Sequence, residues 1–149
     1  MHWFCVYKDV LSLFLSHCFL TGASVWGTQH CELRNFCITL SDADITAEAG
    51  LCVVIPCSFT TDDDYTIQHI VWYNNCDSST KCGDYDIIFH SNKLNTKVQP
   101  DVSQGNCSII INDLTQSDSG GYQLRVERAD AKGYTFSRKT TVTVTGMKL

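Results

Sequence analysis

Arg125, in the run Gly120-Gly-Tyr-Gln-Leu-Arg-Val-Glu127, has the most chemistry to offer of any residue in this chain. A guanidinium is always charged and presents a planar fork of donors that matches a carboxylate bidentately, which the point charge of a lysine cannot reproduce. The run alternates as a strand does, so Tyr122, Leu124 and Val126 share one face and Gln123, Arg125 and Glu127 the other. With the first set in a core, Arg125 points at solvent. There it either receives an anion or pairs with Glu127 on the same face.

Other groupings promise less. Asp62-Asp-Asp64 suggests calcium, yet three adjacent carboxylates on a tight loop more often form a solvated turn. His69 and His90 have no serine or cysteine nucleophile at a readable spacing, and no catalytic constellation is visible. The chain is therefore read as a non-enzyme without cofactor or metal. A formal net charge of −5 offers nucleic acid nothing to bind.

The cysteines come next, because they decide how the strands are tied. Lys8, the apolar run from Val10 to Leu20 and the small residues around 22–27 predict a secretory signal peptide over residues 1–27, cut near Gly27. Its apolar run falls short of the roughly 20 residues that a membrane-spanning helix needs. The mature chain is then a domain over 28–146 with a short tail, 147–149, in an oxidising compartment. Nine cysteines less Cys5 and Cys18 leave seven, an odd number, so one lacks an internal partner. In Leu51-Cys-Val-Val-Ile-Pro-Cys-Ser-Phe59, alternation puts Cys57 with Val53 and Ile55 on the core face and Cys52 on the opposite, outward one. Cys107 leads the inward set Cys107, Ile109 and Ile111, which makes Cys57 with Cys107 the expected core pair, joining neighbouring strands of one sheet. Cys76 and Cys82 bracket a polar turn and suit a local staple, and a Cys31 to Cys37 bridge is possible as well. Zinc is the rival for these cysteines, but no Cys-x-x-Cys knuckle occurs.

Short strands are predicted over 38–49, 52–59, 67–73, 85–90, at Val98, and over 108–111, 121–127 and 134–144. That cadence predicts an all-β sandwich. Trp72 stands 15 positions after Cys57, where the core tryptophan of an immunoglobulin-type sandwich packs on the disulfide. Lys97 and Asp118 either form the ion pair that closes the bottom of variable-type domains or are unrelated surface charges. Leu124 occupies the place where such domains carry their second core cysteine. Asn106-Cys-Ser108 is a glycosylation sequon, weakened by its central cysteine.

Gly50-Leu-Cys-Val-Val-Ile-Pro-Cys-Ser-Phe59, Val71-Trp-Tyr73, Ile87-Ile-Phe-His90, Asn106-Cys-Ser108 and Asp118-Ser-Gly-Gly-Tyr-Gln-Leu-Arg-Val-Glu127 together resemble the N-terminal variable-type domain of the sialic-acid-binding immunoglobulin-like lectins, the Siglecs. The likeness runs from about Phe36 to Thr145. It implies an immunoglobulin V-set sandwich with an intra-sheet disulfide between its second and fifth strands (B to E), formed by Cys57 and Cys107. It also implies Arg125 as the ligand of a sialic-acid carboxylate, and Cys52 as a bridge to a following immunoglobulin domain. Tyr134 falls where the family has its last-strand aromatic and Phe36 near its first-strand tryptophan. The backbone of Lys132 to Thr135 is expected to supply further hydrogen bonds. Strict alternation back from Val142 and Val144 would turn Tyr134 inward, and only a bulge or a split strand turns it out.

The expected function is that of an extracellular lectin domain of a cell-surface adhesion or immune-regulatory receptor, binding sialylated glycoproteins or glycolipids, with linkage preference set by the loop over 74–86. The alternative is a V-set module that binds a protein ligand or acts in homophilic adhesion.

Overall fold

The computed structural model describes the backbone of residues 2–10 and 13–21 and the whole of residues 27–76, 82–101 and 106–146. In chain order the strands are β1 (His2–Val10), β2 (Leu13–Thr21), β3 (Gln29–Leu33), β4 (Phe36–Leu40), β5 (Ile45–Glu48), β6 (Val53–Ile55), β7 (Cys57–Thr60), β8 (His69–Asn74), β9 (Ile87–His90), β10 (Val98–Pro100), β11 (Ile109–Ile111), β12 (Gly120–Glu127) and β13 (Gly133–Thr145). Short 3-10 turns at Asp84–Asp86 and Gln116–Asp118 precede β9 and β12. β1 and β2 form an antiparallel pair within the segment for which the sequence predicts a leader.

One layer of the sandwich is the sheet β5-β13-β12-β8-β9. The other is made of β10-β11-β6 and β3-β4-β7. Two strands that the alternation joins are broken here. Residues 38–49 divide into β4, antiparallel to β7, and β5, parallel to β13, so the chain changes layers across the turn after Leu40. Residues 52–59 divide at Pro56, whose missing N–H cannot serve a ladder. The Ser108 hydroxyl repairs that gap: it accepts from the Cys57 N–H at 2.8 Å and donates to the Cys57 carbonyl at 3.2 Å. β3 was not foreseen; it pairs with β4 with Cys31 opposite Cys37, and those two are bonded. Tyr85 lies in the 3-10 turn, so β9 begins at Ile87.

The core follows the alternation. Tyr122, Leu124 and Val126 are buried, as are Val53, Ile55, Ile109 and Ile111 from the other layer. Cys57 and Cys107 are joined across β6–β7 and the approach to β11, inside one layer. Leu124 fills the place of a second cysteine in the facing layer with apolar volume. Trp72 is fully buried, and its indole donates to the Cys107 carbonyl at 3.0 Å. The Tyr122 hydroxyl donates to the Asp118 carbonyl, the corner that anchors such strands in immunoglobulin folds. The Lys97 ammonium stands 2.9 Å from the Asp118 carboxylate.

Cys52 corrects an expectation. Parity sends it away from the core, but that face of the strand is covered: Cys52 is 3% exposed and disulfide-bonded, so it does not stand outward in solvent. Alternation reports which face a side chain takes; only packing reports whether that face is open.

Candidate functional site

Arg125 lies in β12, paired with Val71 of β8 on one side and Thr135 of β13 on the other. Its face of the five-stranded sheet therefore also carries Glu127, Gly133, His69, Tyr73 and His90. Between β8 and β9 the Cys76–Cys82 bridge, with Ile87, folds over Val71 and Tyr73 and makes a small apolar cluster on this outer face. Residues 77–81 of the loop expected to set linkage preference lie outside the described residues.

The guanidinium is held at two points. Its NH1 donates to the Thr135 hydroxyl at 3.3 Å, and its Nε stands 3.7 Å from Glu127 Oε1. The Arg125 side chain is 26% exposed. Both neighbours leave part of the donor fork facing a cavity of about 1040 Å³ that is lined by Arg125, Glu127, Thr135 and Tyr73 together with His90, Lys93, Leu94 and Asn95. Arg125 thus keeps the ion pair with Glu127 and also faces an open space; the two readings of its sequence position coexist. Burial pushes the Tyr73 phenol up, against the opposing pull of Arg125. Burial also holds His90 below the ordinary histidine range, with His69 and Lys93 adding to the effect and Glu127 opposing it.

Gly133 was missed. A β-carbon there would lie 2.7 Å from Arg125 Cζ and NH2 and 2.7 Å from the Val126 carbonyl oxygen, so only a glycine lets the arginine side chain lie across β13. No local signal marks it, because the requirement comes from the pairing of β12 with β13.

Two expected aromatics stand elsewhere. β13 is irregular opposite Leu124: Gln123 pairs with Lys139 while Arg125 pairs with Thr135, which inserts two residues into β13. An insertion of two preserves the alternation, so Tyr134 keeps the inward parity of Val142 and Val144 and pairs with buried Val126. Its ring packs on Phe36 and Phe136 at centroid distances of 4.8 and 5.2 Å, and its hydroxyl donates to Glu32 at 2.8 Å. That burial, together with the Glu32 hydrogen bond, pushes its phenol up to about 12. Phe36 is buried against Tyr65 and Tyr134. Neither ring faces the cavity beside Arg125, so the expectation that they cover a sugar there is corrected.

Lys132 is likewise engaged elsewhere. Its N–H donates to Asp130 and its carbonyl accepts from Arg128 N–H and the Tyr65 hydroxyl, closing the turn before β13. Of the four residues 132–135, Thr135 reaches Arg125 with its side chain. Asn106 is tied on both sides of its amide to the backbone of Phe59, at 3.0 and 2.9 Å. Among the described residues, no cluster of three His, Cys, Asp or Glu side chains could hold a metal ion, Asp62 to Asp64 included. No helix among them is long and apolar enough to cross a membrane.

The family model for the immunoglobulin V-set domain matches residues 40–145. Relatives include human Sialic acid-binding Ig-like lectin 9, 24% identical over 134 residues, which are 83% of this chain and 29% of that protein. Human Sialic acid-binding Ig-like lectin 5 is 28% identical over 118 residues, 69% of this chain and 21% of that protein. Sialic acid-binding Ig-like lectin 12 of Pan troglodytes is 32% identical over 126 residues, again 69% of this chain and 19% of that protein. The chain spans less than a third of the length of each of these relatives. A β-sandwich whose intra-sheet disulfide leaves Leu124 in the core, matched by this family and these relatives, identifies the chain as a Siglec-like member of the immunoglobulin V-set family.

Proposed function

We propose that this domain is an extracellular, non-catalytic lectin module that binds sialylated glycans of glycoproteins or glycolipids through Arg125. The observation that carries the reading is the Arg125 guanidinium, anchored at NH1 by Thr135 and at Nε by Glu127, with the rest of its fork facing a cavity large enough for a sugar. A sialic acid presents a carboxylate, the group that the fork fits best. The Thr135 hydroxyl and the apolar edge of Leu94 are the neighbours that would meet the rest of the sugar. The names of the relatives support the ligand class. A contact of this kind on a water-exposed face gives a single-site affinity of order millimolar, about −4 kcal/mol, and adhesion then depends on clustering.

The test is a multimerised form of the chain on sialylated cells. Arg125→Ala should abolish staining without lowering the melting temperature, and Arg125→Lys should retain a trace, since the charge remains and the fork is lost. Equal staining of sialidase-treated cells would remove the lectin reading. A second reading, recognition of a protein ligand by the same face, is favoured by Leu94, which is 98% exposed at the edge of the cavity. Staining that survives both sialidase and Arg125→Ala but is lost in Leu94→Glu would establish it.

A further inference from the structure

Glu127 Oε1 stands between two cations of different kinds: Arg125 Nε at 3.7 Å, which is always charged, and His90 Nε2 at 3.9 Å, which is charged only when protonated. The side chains of Glu127 and His90 are 16% and 15% exposed, so salt and water screen this trio less than they would a surface pair. The other charged or titratable groups around His90 are few. β8 contributes His69, whose ring centroid is 5.4 Å from that of His90, and Tyr73. Lys93 follows β9, Asp84 lines the same cavity from the 3-10 turn, and β12 brings Arg125 and Glu127.

We propose that Glu127 and His90 are positioning residues which make carboxylate binding at Arg125 strengthen as the pH falls: Glu127 steadies the Nε edge of Arg125, and a proton on His90 draws the Glu127 charge toward itself and turns the cavity net positive. This rests on the carboxylate-binding reading of Arg125. With His90 neutral, Arg125 and Lys93 are balanced in the cavity lining by Glu127 and Asp84. Protonation adds one positive charge to that lining, near where the ligand carboxylate would sit. Because burial and neighbouring cations disfavour the proton on His90, the change falls on the acid side of the ordinary histidine range, about 6.5. Linkage is reciprocal, so an occupied site must raise the proton affinity of His90.

The experiment is an NMR titration of the full chain with the methyl α-glycoside of N-acetylneuraminic acid at about pH 7.5 and about pH 5, following the His90 ring. The Kd should be about fivefold lower at the acid pH, the size of effect that one added unit charge has near 4 Å in a wet site. In His90→Gln the ratio of the two Kd values should collapse to about one. In the free protein, Glu127→Gln should shift the His90 titration to still lower pH, and saturating glycoside should shift the wild-type titration to higher pH. Binding of equal strength at both pH values, or a His90 titration unmoved by Glu127→Gln, overturns this inference and leaves the lectin reading intact. No saturable binding at either pH overturns both.

Discussion

At the scale of single residues, the outer face of β12 works because of what is absent beside it. Gly133 has no side chain where Arg125 crosses β13, and one of the obstacles to adding one is the Val126 carbonyl, a backbone atom that cannot swing away. Gly133→Ala should therefore both displace the guanidinium and strain the ladder, at a cost of about 1–3 kcal/mol. Thermal melting would read the strain, and glycan-array staining the loss of binding; a fully active, equally stable variant would refute the packing argument. Tyr134 is informative in a different way. Its phenol, raised to about 12 by burial and the Glu32 bond, titrates above the unfolded value near 10. A raised acid favours the folded state below the unfolded pKa, so stability should fall as the pH rises from about 10 to 12, where the unfolded chain loses the proton first. Tyr134→Phe should flatten that fall in urea melts made across the alkaline range.

At the scale of elements, the irregular stretch of β13 raises the question of where its backbone hydrogen bonds go. Glu32 of β3 answers it. Its carboxylate accepts from the N–H groups of Ser137 and Arg138 at 2.6 and 3.1 Å, from the Ser137 hydroxyl and from the Tyr134 hydroxyl. A single side chain from the β3–β4 hairpin, itself closed by Cys31 and Cys37, thus satisfies the donors that the register shift releases. Glu32→Ala should speed amide hydrogen exchange at Ser137 and Arg138 well ahead of the rest of β13 and destabilise the domain by about 1–3 kcal/mol. Exchange unchanged at those two amides would show that water serves them equally well. The Asn106 amide works similarly on Phe59. With that amide committed and Cys107 tied into the core beside it, the sequon should stay unmodified, and treatment with a glycan-removing amidase should leave the mass at that peptide unchanged.

At the scale of the whole molecule, the Cys57–Cys107 bond closes a loop between strands of one layer, and removing it by paired alanine substitution should cost roughly 2–5 kcal/mol in denaturant melts. The same chemistry gives a check on the cysteine pattern: alkylation without reduction should leave Cys31, Cys37, Cys57, Cys76, Cys82 and Cys107 unlabelled, because they are bonded in three pairs. The amino-acid order alone determined the sandwich class, the face on which Arg125 stands and the pairing of Cys57 with Cys107. The first follows from the cadence of short strands and the other two from a period of two along a strand, both local properties of the backbone. The burial of Trp72 was legible from a different signal, its spacing of 15 positions after Cys57 in a sandwich of this type. What alternation could not contain was decided by contacts between segments far apart in the chain. The coverage of Cys52, the split of residues 38–49 between two layers and the two-residue insertion that leaves Tyr134 facing Phe36 all depend on what packs against a strand. The partners of Arg125 divide along the same line. Glu127 shares its strand and was legible, whereas Thr135, Gly133 and His90 reach it only through the registers of β12, β13, β8 and β9, which tertiary packing sets.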